Sequence, residues 1–289
     1  IMNIPKVLLC ALTLLAVLGG PALAGEKEVL AFFQEQGARI TLNKTGQATK
    51  LSLNAKTGVL VQQFQSLGEL KHLEELAVNM PPGGNNDWAF IHKMPALKKL
   101  TIWHGHKFSQ LTPFSDLPLE SLVLGGCMGL RDLNKGNLAR QRDAVLGLKG
   151  LPELKRLSLY HSPLTPDDAH LAHIAREFPK LVDLRVDFNA PRGSKIKITP
   201  AGLKNLHSLS LKVLTIENAQ FFTAEHMRMI ATIPTLEKLS INAQKKAMPG
   251  ILVSAARSAR PDLEMTVKLP HKKIETRRIK KTSSKLTDE

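Results

Sequence analysis

Residues 152–179 read PELKRLSLYHSPLTPDDAHLAHIAREFP, and the fold follows from this stretch. Leu154, Leu157 and Leu159 make an L-x-x-L-x-L pattern, a turn follows at Ser162-Pro163, and the remainder has helical character. Past Pro179 the same pattern opens again with Leu181, Leu184 and Val186. A unit this short cannot bury its own leucines, so units of this kind must stack and cover one another.

The pattern recurs at Leu70/Leu73/Leu76/Val78, Leu97/Leu100/Ile102, Leu119/Leu122/Leu124, Leu211/Leu214/Ile216 and Leu236/Leu239/Ile241. A degraded copy lies at Leu263–Val267. Successive markers Leu51, Leu76, Leu100, Leu122, Leu157, Leu184, Leu214 and Leu239 advance 188 residues in seven steps, a mean near 27. Pro95, Pro118, Pro152, Pro179, Pro234 and Pro261 stand just ahead of a unit's first apolar residue or its equivalent, where they stop a preceding helix.

Leu119–Cys127 and Leu181–Asn189 fit L-x-x-L-x-L-x-x-N/C, and Leu164-Thr165-Pro166-Asp167 and Ile198-Thr199-Pro200-Ala201-Gly202-Leu203 fit a threonine-led turn into a helix. On these residues the chain resembles leucine-rich repeat proteins of the ribonuclease-inhibitor-like and cysteine-containing subtype, and is similar to bacterial exported leucine-rich repeat proteins. The resemblance covers most of residues 48–267. It implies an α/β solenoid: an arc of short parallel strands on the concave face, with helices or irregular segments on the convex face. Ser162, Ala219 and Gln244 depart from the N/C position, which predicts a broken hydrogen-bonded ladder there. A long step after Leu122 carries an insertion at about Gly129–Arg142, expected to bulge from the convex side.

The ends differ from the middle. Residues 1–24 have the form of a signal peptide: Lys6, an apolar run Val7–Leu18, then Ala22-Leu23-Ala24. This reading makes the protein exported, to the periplasm, cell envelope or extracellular space, with an uncleaved anchor as the alternative. Residues 25–47 form an N-terminal cap, with a helix over Glu26–Gln36 and a hairpin turning at Asn43-Lys44-Thr45-Gly46. Residues 268–289 are a basic tail, eight Lys or Arg against three acids, read as disordered. Within it Lys272, Lys273, Arg277, Arg278, Lys280 and Lys281 are candidate polyanion contacts. The whole chain carries +15, and about +9 remains without leader and tail. Beyond Cys10 of the leader the only cysteine is Cys127, expected as a small buried residue in a turn. Aromatics at 4% imply an aliphatic, leucine-dominated core.

Three columns should face outward from the strands. The central one, Ser52, Ala77, Thr101, Val123, Ser158, Arg185, Thr215 and Ser240, is a mostly small, hydroxyl-rich floor. The column before it runs Lys50, Glu75, Lys99, Ser121, Arg156, Asp183, Val213 and Lys238; the one after it includes Trp103, Gly125, Tyr160, Asp187 and Glu217. Trp103 and Tyr160 stand two strands apart, which puts the rings roughly 10 Å apart. They would flank a notch floored by Gly125 and bordered by Arg156, Arg185, Asp187 and Glu217. The alternative is that both rings lie flat on neighbouring strands and bind nothing.

His104-Gly105-His106 with His161 lacks a third ligand at metal spacing and reads as a rim loop. Trp88, after Pro81-Pro82-Gly83-Gly84 and Asn85-Asn86-Asp87, reads as core. No G-x-S-x-G, phosphate loop or H-E-x-x-H occurs, so no catalytic residue, metal or small-molecule cofactor is expected. The functional expectation is a monomeric binding protein or scaffold that takes a protein or peptide partner on the concave face. The alternative is a basic envelope-associated protein binding anionic polysaccharide, lipid headgroups or nucleic acid.

Overall fold

The computed structural model describes residues 25–55, 58–127, 143–160, 167–187, 198–219, 222–242 and 249–268. Residues 1–24, read above as a signal peptide, the expected insertion at about 129–142, His161, Ser162, Asn189, Gln244 and the six basic candidates of residues 268–289 lie outside them.

Ten strands form one open sheet whose order in space equals their order in the chain. The first two are the expected hairpin: β1 (Arg39–Leu42) pairs antiparallel with β2 (Ala48–Asn54). Asn43 makes the turn, its Oδ1 accepting from the Thr45 and Gln47 amides. The helix α1 (Glu26–Glu35) precedes the hairpin and buries Val29 and Phe33.

From β2 onward every pairing is parallel. The strands are β3 (Glu75–Asn79), β4 (Lys99–Trp103), β5 (Ser121–Gly125), β6 (Arg156–Tyr160), β7 (Asp183–Asp187), β8 (Val213–Glu217), β9 (Lys238–Asn242) and β10 (Glu264–Lys268). The register never slips: Leu51, Leu76, Leu100, Leu122, Leu157, Leu184, Leu214, Leu239 and Met265 are successive partners. Period-two alternation explains this constancy, because a one-residue slip would turn every buried leucine to solvent. The ladder also extends one step before each strand; for example the Glu74 carbonyl accepts from Lys98 and Lys99, and that of Lys98 from Glu120 and Ser121.

The prolines do more than end helices. In Met94-Pro95-Ala96-Leu97 the Leu97 amide donates to the Met94 carbonyl, and the same bond closes the turns around Pro152, Pro179, Pro234 and Pro261. Proline thus sits at the second position of a tight turn, where its fixed φ is already correct, and aims the chain into the next strand.

Behind the sheet run short helices. In the first half they are mostly 3-10 segments, such as Asn85–Lys93 and Thr112–Phe114. The later ones are mainly α-helical: α2 (Asp168–Glu177), α3 (Pro200–Leu203, continued by the 3-10 segment Lys204–Ser208), α4 (Ala224–Ala231) and α5 (Pro249–Ala259). The caps are local. Asp167 accepts from the Ala169 and His170 amides at the start of α2, and Thr199 Oγ1 accepts from Gly202 in α3. Asp168 then reaches the next unit, accepting from the Thr199 amide and hydroxyl at 2.8 Å each.

The core lies between the strand leucines and these helices. Leucine dominates it, but the expectation of a purely aliphatic core needs correction. Phe64, Trp88, Phe90, Phe108 and Phe114 form one aromatic cluster behind β2–β5, with centroids 5.2–5.5 Å apart. Trp88 is fully buried in it. A handful of rings suffices because the sequence concentrates them in one place. Cys127 is fully buried, its Sγ 3.9 Å from the Ile102 and Gly125 carbonyls, and Ala219 is buried too. Histidines tie neighbouring segments together: the His173 Nε2 donates to the Leu148 carbonyl at 2.8 Å and the His226 Nε2 to that of Ile198 at 2.9 Å. Among the described residues no helix is long and apolar enough to cross a membrane.

Candidate functional site

The face of the sheet away from the helices carries the three columns as side-by-side rows. Lys50, Glu75, Lys99, Ser121, Arg156 and Asp183 make the first row, aligned by the parallel register, and β1 delivers Arg39 opposite Ser52, at the end of the neighbouring floor row. The floor row is Ser52, Ala77, Thr101, Val123 and Ser158.

Small floor residues beside a row of long charged ones leave a depression. An open trough of about 370 Å³ runs from β1 to β6, floored by Ser52, Ala77, Thr101 and Val123 and edged by Arg39, Lys50, Lys99 and Arg156. The only acid in its lining is Glu75, so the lining carries four cations against one anion. One oxygen of Glu75, Oε1, serves both lysines, at 2.8 Å from Lys99 Nζ and 3.1 Å from Lys50 Nζ. The hydrogen bond from Lys99, then that from Lys50, holds the Glu75 carboxyl below the usual carboxylate range against the smaller cost of burial. Glu75 in turn pushes Lys99 up. Arg156 pairs with Asp183 at 3.3 Å, yet burial outweighs Arg156 and Arg185 and lifts the Asp183 carboxyl above its ordinary value. Arg39 is exposed and has no ion-pair partner among the described residues.

The third row does not hold the expected notch. Trp103 and Tyr160 are aligned through Gly125 as predicted, but their ring centroids are 6.0 Å apart, edge to face at 75°. The reason is Gly125 itself. A Cβ built on it would lie 2.2 Å from Trp103 Cε3 and Cζ3, so the indole lies across the bare backbone and reaches Tyr160. The gap roughly two strands wide is filled by the rings that were to flank it. Trp103 thus lies on its neighbouring strand, as the alternative had it, while Tyr160 carries the Arg185 guanidinium 3.8 Å from its centroid.

Arg185 is an organiser of this border. It stacks on Tyr160 while its Nε and Nη2 donate to Glu217 Oε1 at 2.8 and 2.5 Å. Glu217 also accepts from Asn242 Nδ2. Asp187 is buried and accepts from Asn218 Nδ2 at 2.5 Å. Asp187 and Glu217 were expected to border a ligand, and that expectation is corrected: both are buried and engaged within the protein. Burying a carboxylate requires such partners, and here the chain supplies them. On the other side His104 Nδ1 meets Asn79 Oδ1 at 2.7 Å. The row is therefore a continuous ledge from Asn79 through Trp103, Tyr160 and Arg185 to Asn242. Among the described residues no group of three or more His, Cys, Asp or Glu is arranged to hold a metal ion.

Of the expected site residues, Arg156 borders the trough, Trp103, Gly125, Tyr160 and Arg185 build the ledge, and Asp187 and Glu217 support it. Arg39, Lys50, Glu75 and Lys99 were missed as site residues. The signal for three of them was present, since Lys50, Glu75 and Lys99 are consecutive in one column. Arg39 belongs to the hairpin cap, which was expected only to cover the exposed first repeat. Comparison with protein-family models and with curated proteins finds no match to this sequence.

Proposed function

We propose that this chain is a leucine-rich repeat solenoid, exported and monomeric, whose open sheet face docks a protein or peptide partner. The unchanging register of β2–β10, the recurring leucines and the proline turns support the repeat reading. The observation that carries the functional reading is the trough of about 370 Å³ on the solvent face, with a floor of small side chains and charged side chains along its edge. Strands buried on one face alone present a stiff template, which lowers the ordering cost of binding. A row of Ser, Ala and Thr lets a partner's backbone approach closely.

The test uses the full chain with a photo-cross-linking residue at Thr101 on the floor or at Glu225 on the helical side. Thr101 should yield one dominant adduct, and the purified adduct partner should bind the floor-blocking variant Ala77→Trp at least about tenfold more weakly than the parent. Equal affinity for the blocked protein, or the same adduct from Glu225, would count against the face as the docking surface.

A further inference from the structure

We propose that the trough between β1 and β6 takes an acidic peptide segment in extended form, and that Glu75 occupies it in the free protein as an internal stand-in for one of that segment's carboxylates. This rests on the docking-face reading above and names the partner chemistry of that same face.

Charge is the first argument. The trough's edge presents Arg39, Lys50, Lys99 and Arg156 with Glu75 as the only acid in the lining. A cationic trough disfavours a basic or neutral occupant and draws an acidic one by complementarity. It also disfavours the chain's own tail, residues 268–289, with its eight Lys or Arg.

Geometry supplies the second argument. Six strands at about 4.8 Å spacing make a trough roughly 24 Å long, the reach of about seven residues of extended peptide. The cations stand on β1, β2, β4 and β6, so they are spread along this length rather than gathered at one point. A single inorganic ion would meet one or two of them, whereas a segment with several carboxylates meets all four. The floor offers the methyl groups of Ala77, Thr101 and Val123 and the hydroxyls of Ser52 and Thr101, which suit a peptide's mixed surface. Single-stranded nucleic acids use aromatic faces for stacking. Here Tyr160 is covered by Arg185, and Trp103 packs on Gly125 and Tyr160.

The third argument concerns Glu75. Its side chain is 31% exposed, and the two lysines that share its Oε1 are more than half exposed. Exposed ion pairs of this kind are weak and exchangeable. A carboxylate from a partner can therefore take over the ammonium groups, while Glu75 turns to water. Until then Glu75 keeps Lys50 and Lys99 pointed at one place, and competes for them.

The experiment measures binding of a fluorescent peptide alternating Glu and Ala over about ten residues to the full chain and its variants, by anisotropy at fixed ionic strength. Lys99→Gln with Arg156→Gln should weaken binding about tenfold, while the charge-matched pair Lys149→Gln with Lys204→Gln, both exposed and outside the trough lining and the cap, should change it by about twofold or less. Glu75→Gln should tighten binding about threefold. Equal weakening by both pairs would mean diffuse attraction and overturn the trough assignment; no change or weakening in Glu75→Gln would overturn the stand-in role. A heparin oligosaccharide run in parallel should respond to the trough variants by less than the peptide does, and an equal response would overturn the peptide class. Ala77→Trp separates the two levels. If it blocks the cross-linked partner while the charge variants leave peptide affinity unchanged, this inference fails and the docking face stands; if it blocks neither, both fail.

Discussion

Replacing Gly125 by alanine sets two opposed effects against each other, and the structure says which wins. Gly125 has no left-handed backbone angle, so alanine is conformationally acceptable there. On its own, that change stabilises by about 0.4–1 kcal/mol through the unfolded chain. The new Cβ, however, would sit 2.2 Å from two indole carbons of Trp103, and the indole must swing away. Losing the edge-to-face contact with Tyr160 costs about 0.5–1.5 kcal/mol. Re-exposing on the order of 50 Å² of ring adds about 1.3 kcal/mol at 25 cal/mol per Å². The net expectation is destabilisation of about 1–2 kcal/mol.

Urea unfolding of Gly125→Ala, Trp103→Ala and the double variant checks this. In the Trp103→Ala background the clash is gone, so Gly125→Ala should become stabilising by about 0.4–1 kcal/mol. Because Trp88 is fully buried, a red shift in tryptophan emission on Gly125→Ala reports Trp103 moving into water. The same stability change in both backgrounds, with unshifted emission, would refute the seating of Trp103 on Gly125.

Two further substitutions probe the frame around the site. His173→Ala removes the Nε2–H that satisfies the buried Leu148 carbonyl, and should cost about 1–3 kcal/mol in urea unfolding; a loss under about 0.5 kcal/mol would show that water replaces it freely. Asp183→Asn tests a sign. The folded carboxyl is raised by burial, so its charged form carries a penalty above that raised pKa, and the penalty disappears as pH falls towards the unfolded value. Asp183→Asn should therefore equal or slightly exceed the parent in stability at pH 7, with the difference shrinking in acid. Clear destabilisation at pH 7 would mean that the Arg156 pair outweighs the burial.

The strands were legible residue by residue, down to the partners of Leu76 or Leu184, because period-two burial and an unbroken parallel order leave one register. The hairpin cap was legible for the same reason, with Asn43 and Gly46 marking its turn. Lateral behaviour of side chains was not. Column membership says that Trp103, Gly125 and Tyr160 are neighbours, yet whether rings stand upright or lie down depends on what fills the intervening position. Glycine was read as an opening; it is a seat. Asp187 and Glu217 show the same limit, since alternation makes them outward-facing while Arg185, Asn218 and Asn242 close over them.

The first row was visible in the sequence and its meaning was not, because alternating charges look like ordinary surface lacing. Balance along the row is what distinguishes its two halves. From β6 to β10 the row runs Arg156, Asp183, Val213, Lys238, Glu264, with Arg156 paired to Asp183 and Lys238 paired to Glu264. From β2 to β4 it offers Lys50 and Lys99 against Glu75 alone, with Arg39 of β1 beside it at the end of the floor row. A single oxygen of Glu75 shared by two lysines leaves each incompletely neutralised, and Arg39 adds a further charge. The surplus lies where the floor is smallest, so shape and field coincide over β1–β4 and diverge beyond it. Any partner recognised by charge should therefore engage the hairpin end first, so on the proposed docking reading the cap joins that surface as well as covering the core.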